Sequence, residues 1–239
     1  RQTHAHPLAL PQLGHMRKHS GRSTTRALPV ASGAFASIAP DTALSSAAPM
    51  NPSSALQRLF GFSEFRPGQA EAVGAALEDR DALVVMPTGA GKSLCYQLPA
   101  LMRDDLTIVV SPLVALMHDQ AWAIHRIAPG TVTMVNSQRS GAANAQAMER
   151  VRAGEVRLLY VAPERFGSPG FARALADTKV GLFVVDEAHC VSEWGHDFRP
   201  DYARIGQARR QIGSPPCIGL TATATDLVPT DIADQLDLP

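Results

Sequence analysis

A glycine-rich loop at residues 86–93 carries the residue types of a phosphate-binding site. Gly89 and Gly91 allow backbone N–H groups to converge on phosphate oxygens, because no Cβ atom stands in the way. Lys92 supplies a compact positive charge for the β- and γ-phosphates, and Ser93 supplies a hydroxyl for Mg²⁺. A helix that follows the loop would add its partial positive charge. The predicted nucleotide contacts of the loop are Thr88, Gly89, Ala90, Gly91, Lys92 and Ser93.

An acidic pair, Asp186 and Glu187, directly follows an apolar run at residues 180–185. Carboxylates at the carboxyl end of a buried parallel strand lie at the sheet edge where ligands bind. Asp186 can hold Mg²⁺, directly or through water, and Glu187 can polarise the water that attacks the γ-phosphate. Each motif has a simpler interpretation, because Met86 replaces the first glycine of the strict loop pattern and an isolated acidic pair is often a solvated turn. Their separation of about ninety residues favours one nucleotide site built from both.

Short apolar runs alternate with helical stretches from residue 51 onward, and these elements must position both motifs. The runs are rich in β-branched residues and apolar throughout, as expected of strands that are covered on both faces. The expected strands are residues 82–86, 107–110, 131–135, 156–161, 180–185 and 217–220. The expected helices are residues 55–60, 67–78, 113–127, 142–152 and 202–210, and Asn51 and Pro52 suit the start of the first. The alternation predicts an α/β fold, in which right-handed crossovers place helices on both faces of a parallel sheet.

The composition narrows the class of protein further. The chain has 239 residues, of which 45% are hydrophobic and 18% charged, as in one globular domain with a substantial core. Its net charge is zero, so a polyanion would need a local positive patch. The three cysteines, Cys95, Cys190 and Cys217, lack C-x-x-C spacing and suggest neither a zinc site nor a disulfide framework. We therefore expect a reducing, cytoplasmic location, nucleoid-associated in a bacterium, and no membrane partner, since no apolar run reaches ~18–20 residues.

Residues 1–50 differ from the rest of the chain. They are rich in Ala, Ser, Pro and His, show neither a helical nor a strand period, and carry five basic residues against the single acid Asp41. Such a segment cannot bury enough apolar surface to offset its ordering entropy, so we expect a disordered or non-native extension. The segment also has the composition of an organelle transit peptide, but we favour a start at Met50. The folded domain is expected at residues 51–239.

The segment after the acidic pair carries a family resemblance. Residues 190–202 read Cys-Val-Ser-Glu-Trp-Gly-His-Asp-Phe-Arg-Pro-Asp-Tyr, and they closely resemble the aromatic-rich loop that distinguishes RecQ helicases from other D-E-A-H proteins. Residues 60–69 resemble the adenine-recognition motif of that family, residues 111–120 and 160–165 its strand-contact motifs, and residues 219–225 its coupling motif. The resemblance extends from about Pro52 to the C-terminus, and the motifs occur in the order of the family.

This resemblance implies one RecA-like lobe of a P-loop NTPase, belonging to an ATP-dependent DNA helicase that moves 3′ to 5′ in recombination and repair. The implied cofactors are ATP and Mg²⁺, and the implied partner is DNA, single-stranded and at duplex junctions. Gln69 would read the adenine edge, Phe62 would stack on the base and Arg66 would support the pocket, although an aromatic residue beside a helix usually packs into a core. Lys92, Asp186, Glu187 and His189 would be catalytic. The implied DNA-contact and coupling residues are Trp194, His196, Phe198, Arg199, Thr221 and Thr223.

Helicases of this kind hydrolyse ATP between two lobes, and the second lobe supplies an arginine finger worth roughly 10³–10⁵ in rate. Residues 226–239 contain no arginine, so we expect the isolated chain to bind ATP and to hydrolyse it poorly. Glu193 stands where the family often has Gln, and His118 where it often has Lys, which lowers the positive character near the expected DNA path. Two alternatives remain open, an RNA helicase lobe and a truncated, non-catalytic nucleic-acid-binding fragment.

Overall fold

A single parallel sheet organises the part of the chain that the computed structural model describes, residues 50–176, 178–192, 199–222 and 228–238. The predictions made for residues 1–49 lie outside these ranges. The strand order is β1-β6-β5-β2-β4-β3, and every neighbouring pair is parallel. The strands are β1 (Ala82–Val85), β2 (Leu106–Val110), β3 (Val132–Val135), β4 (Leu158–Val161), β5 (Val180–Val185) and β6 (Cys217–Thr221). All six expected strands are confirmed, with boundaries shifted by two residues at most.

Helices cover both faces of the sheet, as the alternation of elements predicted. Their bounds are α1 (Pro52–Phe60), α2 (Gln69–Leu77), α3 (Leu94–Met102), α4 (Val114–Ile127), α5 (Gly141–Arg152), α6 (Pro169–Ala176), α7 (Ile205–Gln211) and α8 (Val228–Leu236). Along β2, Ile108 and Val110 pack with residues of α5 to α8, whereas Val109 packs with residues of α2 to α4. Successive side chains of a strand point to opposite faces, so one strand joins two hydrophobic cores. Helix α1 packs outside this sandwich, against α2 and α3.

Strand β1 departs from the expectation that every strand is covered on both faces. It lies at one edge of the sheet, paired with β6, and Val85 is 46% exposed. The local sequence of β1 resembles that of the buried strands, because an apolar run does not reveal its position within the sheet. The phosphate loop therefore follows an edge strand.

Local sequence signals placed the first helix better than the second. Asn51 caps α1 as predicted, since its Oδ1 atom accepts a hydrogen bond from the backbone N–H of Ser54 at 2.8 Å. The helix expected from Pro67 begins at Gln69 instead. Gly68 precedes it with a φ of 80°, a left-handed conformation that interrupts the helical path and makes residues 67–68 a turn.

Three further differences concern the helices of the second half. The segment expected to be helical at residues 202–210 starts as a short 3₁₀ turn, Tyr202–Arg204, and becomes α7 at Ile205. Helices α6 and α8 were not predicted at all. Both have a readable signal, because Phe171 and Leu175 in α6, like Ile232 and Leu236 in α8, are buried at a spacing of four residues. Within the described residues, no helix is long and apolar enough to cross a membrane.

Arg209 on α7 anchors the amino-terminal ends of β1 and β6. It is 5% exposed, and its Nη2 atom donates to both carboxylate oxygens of Asp81, at 2.8 and 3.0 Å. Asp81 immediately precedes β1 and also accepts a hydrogen bond from the backbone N–H of Cys217 at 2.6 Å. The anchor thus fixes the beginning of the strand whose other end leads into the phosphate loop.

Candidate nucleotide-binding site

The loop at residues 86–93 joins β1 to α3, as predicted, and its backbone requires glycine at two positions. Gly89 has a φ of 81° and Gly91 a φ of 86°, conformations that residues with a Cβ atom rarely adopt. A Cβ atom on Gly91 would also lie 2.7 Å from Nε2 of Gln69. Helix α3 begins directly after the loop at Leu94, so the positive end of its dipole faces the loop. The geometry suits a bound anion.

Two residues predicted for the adenine pocket, Arg66 and Gln69, brace the loop in this structure. Gln69 is 3% exposed, and its Nε2 atom donates to the carbonyl oxygens of Gly91 at 3.0 Å and Ala90 at 3.3 Å. Its Oε1 atom accepts from the backbone N–H of Arg66 at 2.9 Å. Arg66 in turn donates to the carbonyl oxygen of Gly89 at 2.9 Å. Adenine reading by Gln69 stays a prediction, and it would require the amide to exchange its partners in the loop.

Phe62 lies in the segment between α1 and α2, on the same stretch as these bracing residues. It is 53% exposed, so a ring buried in the core, the alternative for this position, is not what the fold produces. An exposed aromatic face can stack on a planar base. Its position leaves base stacking as a prediction consistent with the geometry.

The acidic pair lies at the same sheet edge as the loop. Strands β1 and β5 both flank β6 and run parallel, so their carboxyl ends are two strand spacings apart, about 10 Å. Asp186 is 7% exposed. Burial, and to a smaller extent the negative charge of Glu187, raise the pKa of the Asp186 carboxyl group to about 6. The positive charge of Lys92 acts in the opposite direction, which places the loop lysine within electrostatic reach of Asp186. Lys92 itself donates to the carbonyl oxygen of Met86 at 3.2 Å.

Glu187 adopts a strained backbone conformation. Its φ of 50° lies in the left-handed region, where a residue with a side chain is held only by the surrounding structure. The backbone N–H of Glu187 donates to Oδ1 of Asp186 at 3.0 Å, and Oε2 of Glu187 lies 3.4 Å from Nδ1 of His189. The chain then enters the 3₁₀ turn Ala188–Val191. Two neighbouring carboxylates with different surroundings thus follow the carboxyl end of β5.

Thr221 joins the acidic segment to the loop. Its Oγ1 atom lies 3.2 Å from Nδ1 of His189, and its backbone carbonyl accepts from the N–H of Met86 at 3.0 Å. The residue lies at the end of β6, between the two strands that carry the loop and the acids. His189, predicted to be catalytic, and Thr221, predicted to be a coupling residue, are therefore in direct contact, whereas Thr223 lies outside the described residues.

Comparison with known proteins assigns the family. The model of the DEAD/DEAH box helicase family matches residues 66–231, which include the loop, the acidic pair and Thr221. The chain belongs to the DEAD/DEAH box helicases. Among curated relatives, it is 41% identical over 183 residues to the probable ATP-dependent DNA helicase RecS of Bacillus subtilis, covering 77% of this chain and 36% of that protein. It is 44% identical over 186 residues to the ATP-dependent DNA helicase RecQ of Haemophilus influenzae, covering 77% of this chain and 30% of that protein.

These matches confirm the resemblance of this helicase chain to the RecQ group, and the chain spans about a third of the length of these two relatives. Solved structures support the fold alone. The Hef helicase domain of Pyrococcus furiosus superposes with a TM-score of 0.59 at 21% identity, covering 76% of this chain and 37% of that one. A hypothetical ATP-dependent RNA helicase from Sulfolobus tokodaii superposes with a TM-score of 0.59 at 22% identity, covering 77% and 54%. The fold is thus shared with helicases of low sequence identity, one of which is named for RNA.

The oxygen atoms at the helicase site fit a magnesium ion. Mg²⁺ is held by one or two protein oxygens together with substrate phosphates, so a complete protein cage is not required. Within the described ranges, no three His, Cys, Asp or Glu side chains are grouped so as to hold a metal by themselves. Ser93 and Asp186 offer a hydroxyl and a buried carboxylate at the loop edge, and a cation there would favour the ionised form of Asp186. Both residues suit an ion that arrives with a nucleotide.

The predicted DNA-contact residues Trp194, His196 and Phe198 lie outside the described residues. The structure does place the chain on either side of them. Arg199 is exposed, and its backbone N–H donates to the carbonyl oxygen of Cys190 at 3.1 Å. Tyr202, which was assigned no role from the sequence, is fully buried, and its hydroxyl donates to the carbonyl oxygen of Asp186 at 3.2 Å. The chain after Arg199 thus packs directly against the acidic pair.

Proposed function

We propose that this chain is the ATP-binding lobe of a DNA helicase that moves 3′ to 5′, and that it hydrolyses ATP together with a second lobe. The observation that carries the proposal is the meeting, at one sheet edge, of a loop with two left-handed glycines and the buried carboxylate of Asp186. The assignment to DNA draws on the similarity to RecS and RecQ, which are named as DNA helicases. The buried thiols of Cys95, Cys190 and Cys217 fit a reducing, cytoplasmic location.

The loop residues perform the binding step. Backbone N–H groups around Gly89 and Gly91 donate to phosphate oxygens, and Lys92 exchanges the carbonyl of Met86 for the β- and γ-phosphates. Ser93 and Asp186 would hold Mg²⁺, which would neutralise charge on the phosphates. Phe62 stacks on the adenine.

Hydrolysis depends on the second acid. Glu187 orients the attacking water, and Asp186 would hold the metal. His189 contacts both Glu187 and Thr221, so a change at the phosphates reaches the end of β6. Trp194, His196, Phe198 and Arg199 contact unpaired DNA, with stacking worth roughly 1–3 kcal/mol for each base. Tyr202, three residues after Arg199, donates to the carbonyl oxygen of Asp186.

The binding step is tested by Lys92→Ala, with Lys179→Ala as a matched control. Lys179 is an exposed lysine next to the amino-terminal end of β5, whereas Lys92 lies at the carboxyl-terminal edge of the sheet. Losing a charged hydrogen bond of roughly 1.5–3 kcal/mol should weaken nucleotide binding by roughly 10–150-fold. Calorimetric titration with Mg²⁺ and a non-hydrolysable ATP analogue measures this change. Full affinity in the Lys92→Ala chain, or an equal loss in the control, would overturn the proposed site.

The choice between DNA and RNA requires its own measurement. Fluorescence anisotropy with single-stranded DNA and RNA of the same base sequence should show tighter binding of the DNA strand by this chain. Because affinity for a polyanion depends on salt, both strands are compared at one ionic strength. Equal or tighter RNA binding would favour the RNA helicase alternative, and undetectable binding of both strands would contradict a nucleic-acid role for this lobe.

A further inference from the structure

A network of polar side chains extends inward from the phosphate loop. Oγ of Ser93 accepts a hydrogen bond from Nε2 of Gln120 at 2.7 Å. Oε1 of Gln120 accepts from Nε2 of Gln97, and the hydroxyl of Tyr96 lies 3.5 Å from the same oxygen. Gln97 also donates to the hydroxyl of Tyr160 at 3.2 Å, and the two tyrosine hydroxyls are 3.4 Å apart. We call these five side chains the Ser93–Tyr160 network.

The Ser93–Tyr160 network connects the phosphate loop, through Tyr96 and Gln97 of α3, to two elements with a different expected role. Ser93 lies in the phosphate loop and is a candidate Mg²⁺ ligand. Gln120 lies on α4, at the end of residues 111–120, and Tyr160 lies on β4, at the start of residues 160–165. Those two segments resemble the strand-contact motifs of RecQ helicases. A hydroxyl at the nucleotide site is thus one hydrogen bond away from a helix expected to touch nucleic acid.

The Gln120 amide is held from two sides. Its Nε2 atom faces the loop serine, and its Oε1 atom faces Gln97 and the hydroxyl of Tyr96. Burial raises the pKa of Tyr160 to about 12, so this hydroxyl keeps its proton and can donate and accept at once. These contacts hold the Gln120 side chain beside Ser93.

The same bond constrains Ser93. A serine hydroxyl has two lone pairs and one proton, and Gln120 occupies one lone pair. The hydroxyl also interacts with the hydroxyl of Tyr96, and one lone pair is left for a cation. If the Ser93 side chain changes rotamer, the N–H of Gln120 loses its acceptor in a partly buried setting, which is unfavourable unless α4 adjusts.

We propose that Gln120 is a positioning residue that orients the Ser93 hydroxyl and couples nucleotide binding to strand binding through α4. The inference rests on the proposed function, since it needs both ligands. It predicts a coupling factor, the ratio of strand affinities with and without nucleotide, that differs from one in the unaltered chain. Coupling between two sites is typically roughly 5–150-fold, and it acts equally in both directions.

The test measures this coupling factor in the 239-residue chain and in Gln120→Leu, which has a similar volume but no amide. Anisotropy with a fluorescent oligo-dT strand is recorded with and without Mg²⁺ and a non-hydrolysable ATP analogue. We expect the coupling factor to fall roughly fivefold or more toward one in the variant. Gln146→Leu makes the same change at an exposed position of α5, on the other face of the sheet, and should leave the factor unchanged.

The outcomes separate the inference from the proposed function. If the unaltered chain binds neither nucleotide nor strand, the proposed function fails and the inference fails with it. If it binds both but shows no coupling, or if Gln120→Leu keeps the full coupling factor, only the inference is refuted. A merely structural role would lower the urea midpoint and both affinities while the coupling factor stayed constant. Should Gln120→Leu not fold, Gln120→Asn decides by the same criterion, because its shorter amide cannot reach Ser93 and Gln97 together.

Discussion

Replacing Arg209 by alanine should destabilise the fold far more than replacing its neighbour Arg210. Besides its two bonds to Asp81, Arg209 donates to three backbone carbonyl oxygens, at distances of 2.7 to 3.0 Å. These carbonyls belong to Pro215, Leu236 and Asp237, so the guanidinium joins α7 to β1, β6 and the end of α8. The alanine variant would leave the Asp81 carboxylate without its counter-charge and the carbonyls without their donor.

The expected magnitude follows from burial. Breaking a buried ion pair by removing one partner costs about 3–5 kcal/mol, because the other charge is left uncompensated. The side chain of Asp81 is 17% exposed, so water can partly solvate its charge, and it would still accept the hydrogen bond from the N–H of Cys217. We therefore expect the loss in the free energy of unfolding to lie at the lower end of this range, about 3 kcal/mol. For a domain of this size, that corresponds to a fall in Tm of roughly 6–12 °C.

Arg210 provides a matched comparison one residue away. It pairs with Asp237, but the two side chains are 55% and 47% exposed, and exposed ion pairs contribute about 0–1 kcal/mol. Urea denaturation followed by circular dichroism measures both variants, with the free energy of unfolding extrapolated to water. If Arg209→Ala unfolds within about 0.5 kcal/mol of Arg210→Ala, the buried anchor does not hold β1 as described.

Two further predictions concern the loop and the thiols. Gly89→Ala and Gly91→Ala both place a Cβ atom at a left-handed φ angle, which costs about 1–2 kcal/mol in each case. Only at Gly91 does the new atom also meet a neighbouring side chain, the amide of Gln69, at 2.7 Å. In the absence of nucleotide, Gly91→Ala should therefore have the lower urea midpoint, and equal midpoints would show that the amide moves away freely. Burial raises the pKa of Cys95 from 9.0 to about 11 and that of Cys217 from 9.0 to about 12, so between pH 9 and 11 the unfolded chain loses protons that the folded chain keeps. The free energy of unfolding should fall across this range by about 1.4 kcal/mol per pH unit for each thiol. A variant that carries both Cys95→Ser and Cys217→Ser should lose stability less steeply with pH, and an equally steep loss would contradict the role of these thiols.

Much of the fold can be read from local patterns. The six strands are apolar runs whose short length and β-branched residues distinguish them from helices, and the cap at Asn51 is decided by its own side chain. The start of α2 could not be placed in this way, because Pro67 suits both a turn and a first helical position and the left-handed Gly68 decided between them. Helices α6 and α8 each bury two apolar residues four positions apart, a pattern that also indicates a helix.

The sequence by itself determined the chemistry of the loop and of the acidic pair, because glycine, lysine and carboxylate have few alternatives at such positions, and their order along the chain follows a family pattern. Only the tertiary structure decided the partners of Gln69 and Gln120. Their bonds join residues 22 and 27 positions apart, on elements whose approach depends on how helices pack against the sheet. An amide side chain can pair with any donor or acceptor that packing brings near, so its role follows from the fold that surrounds it.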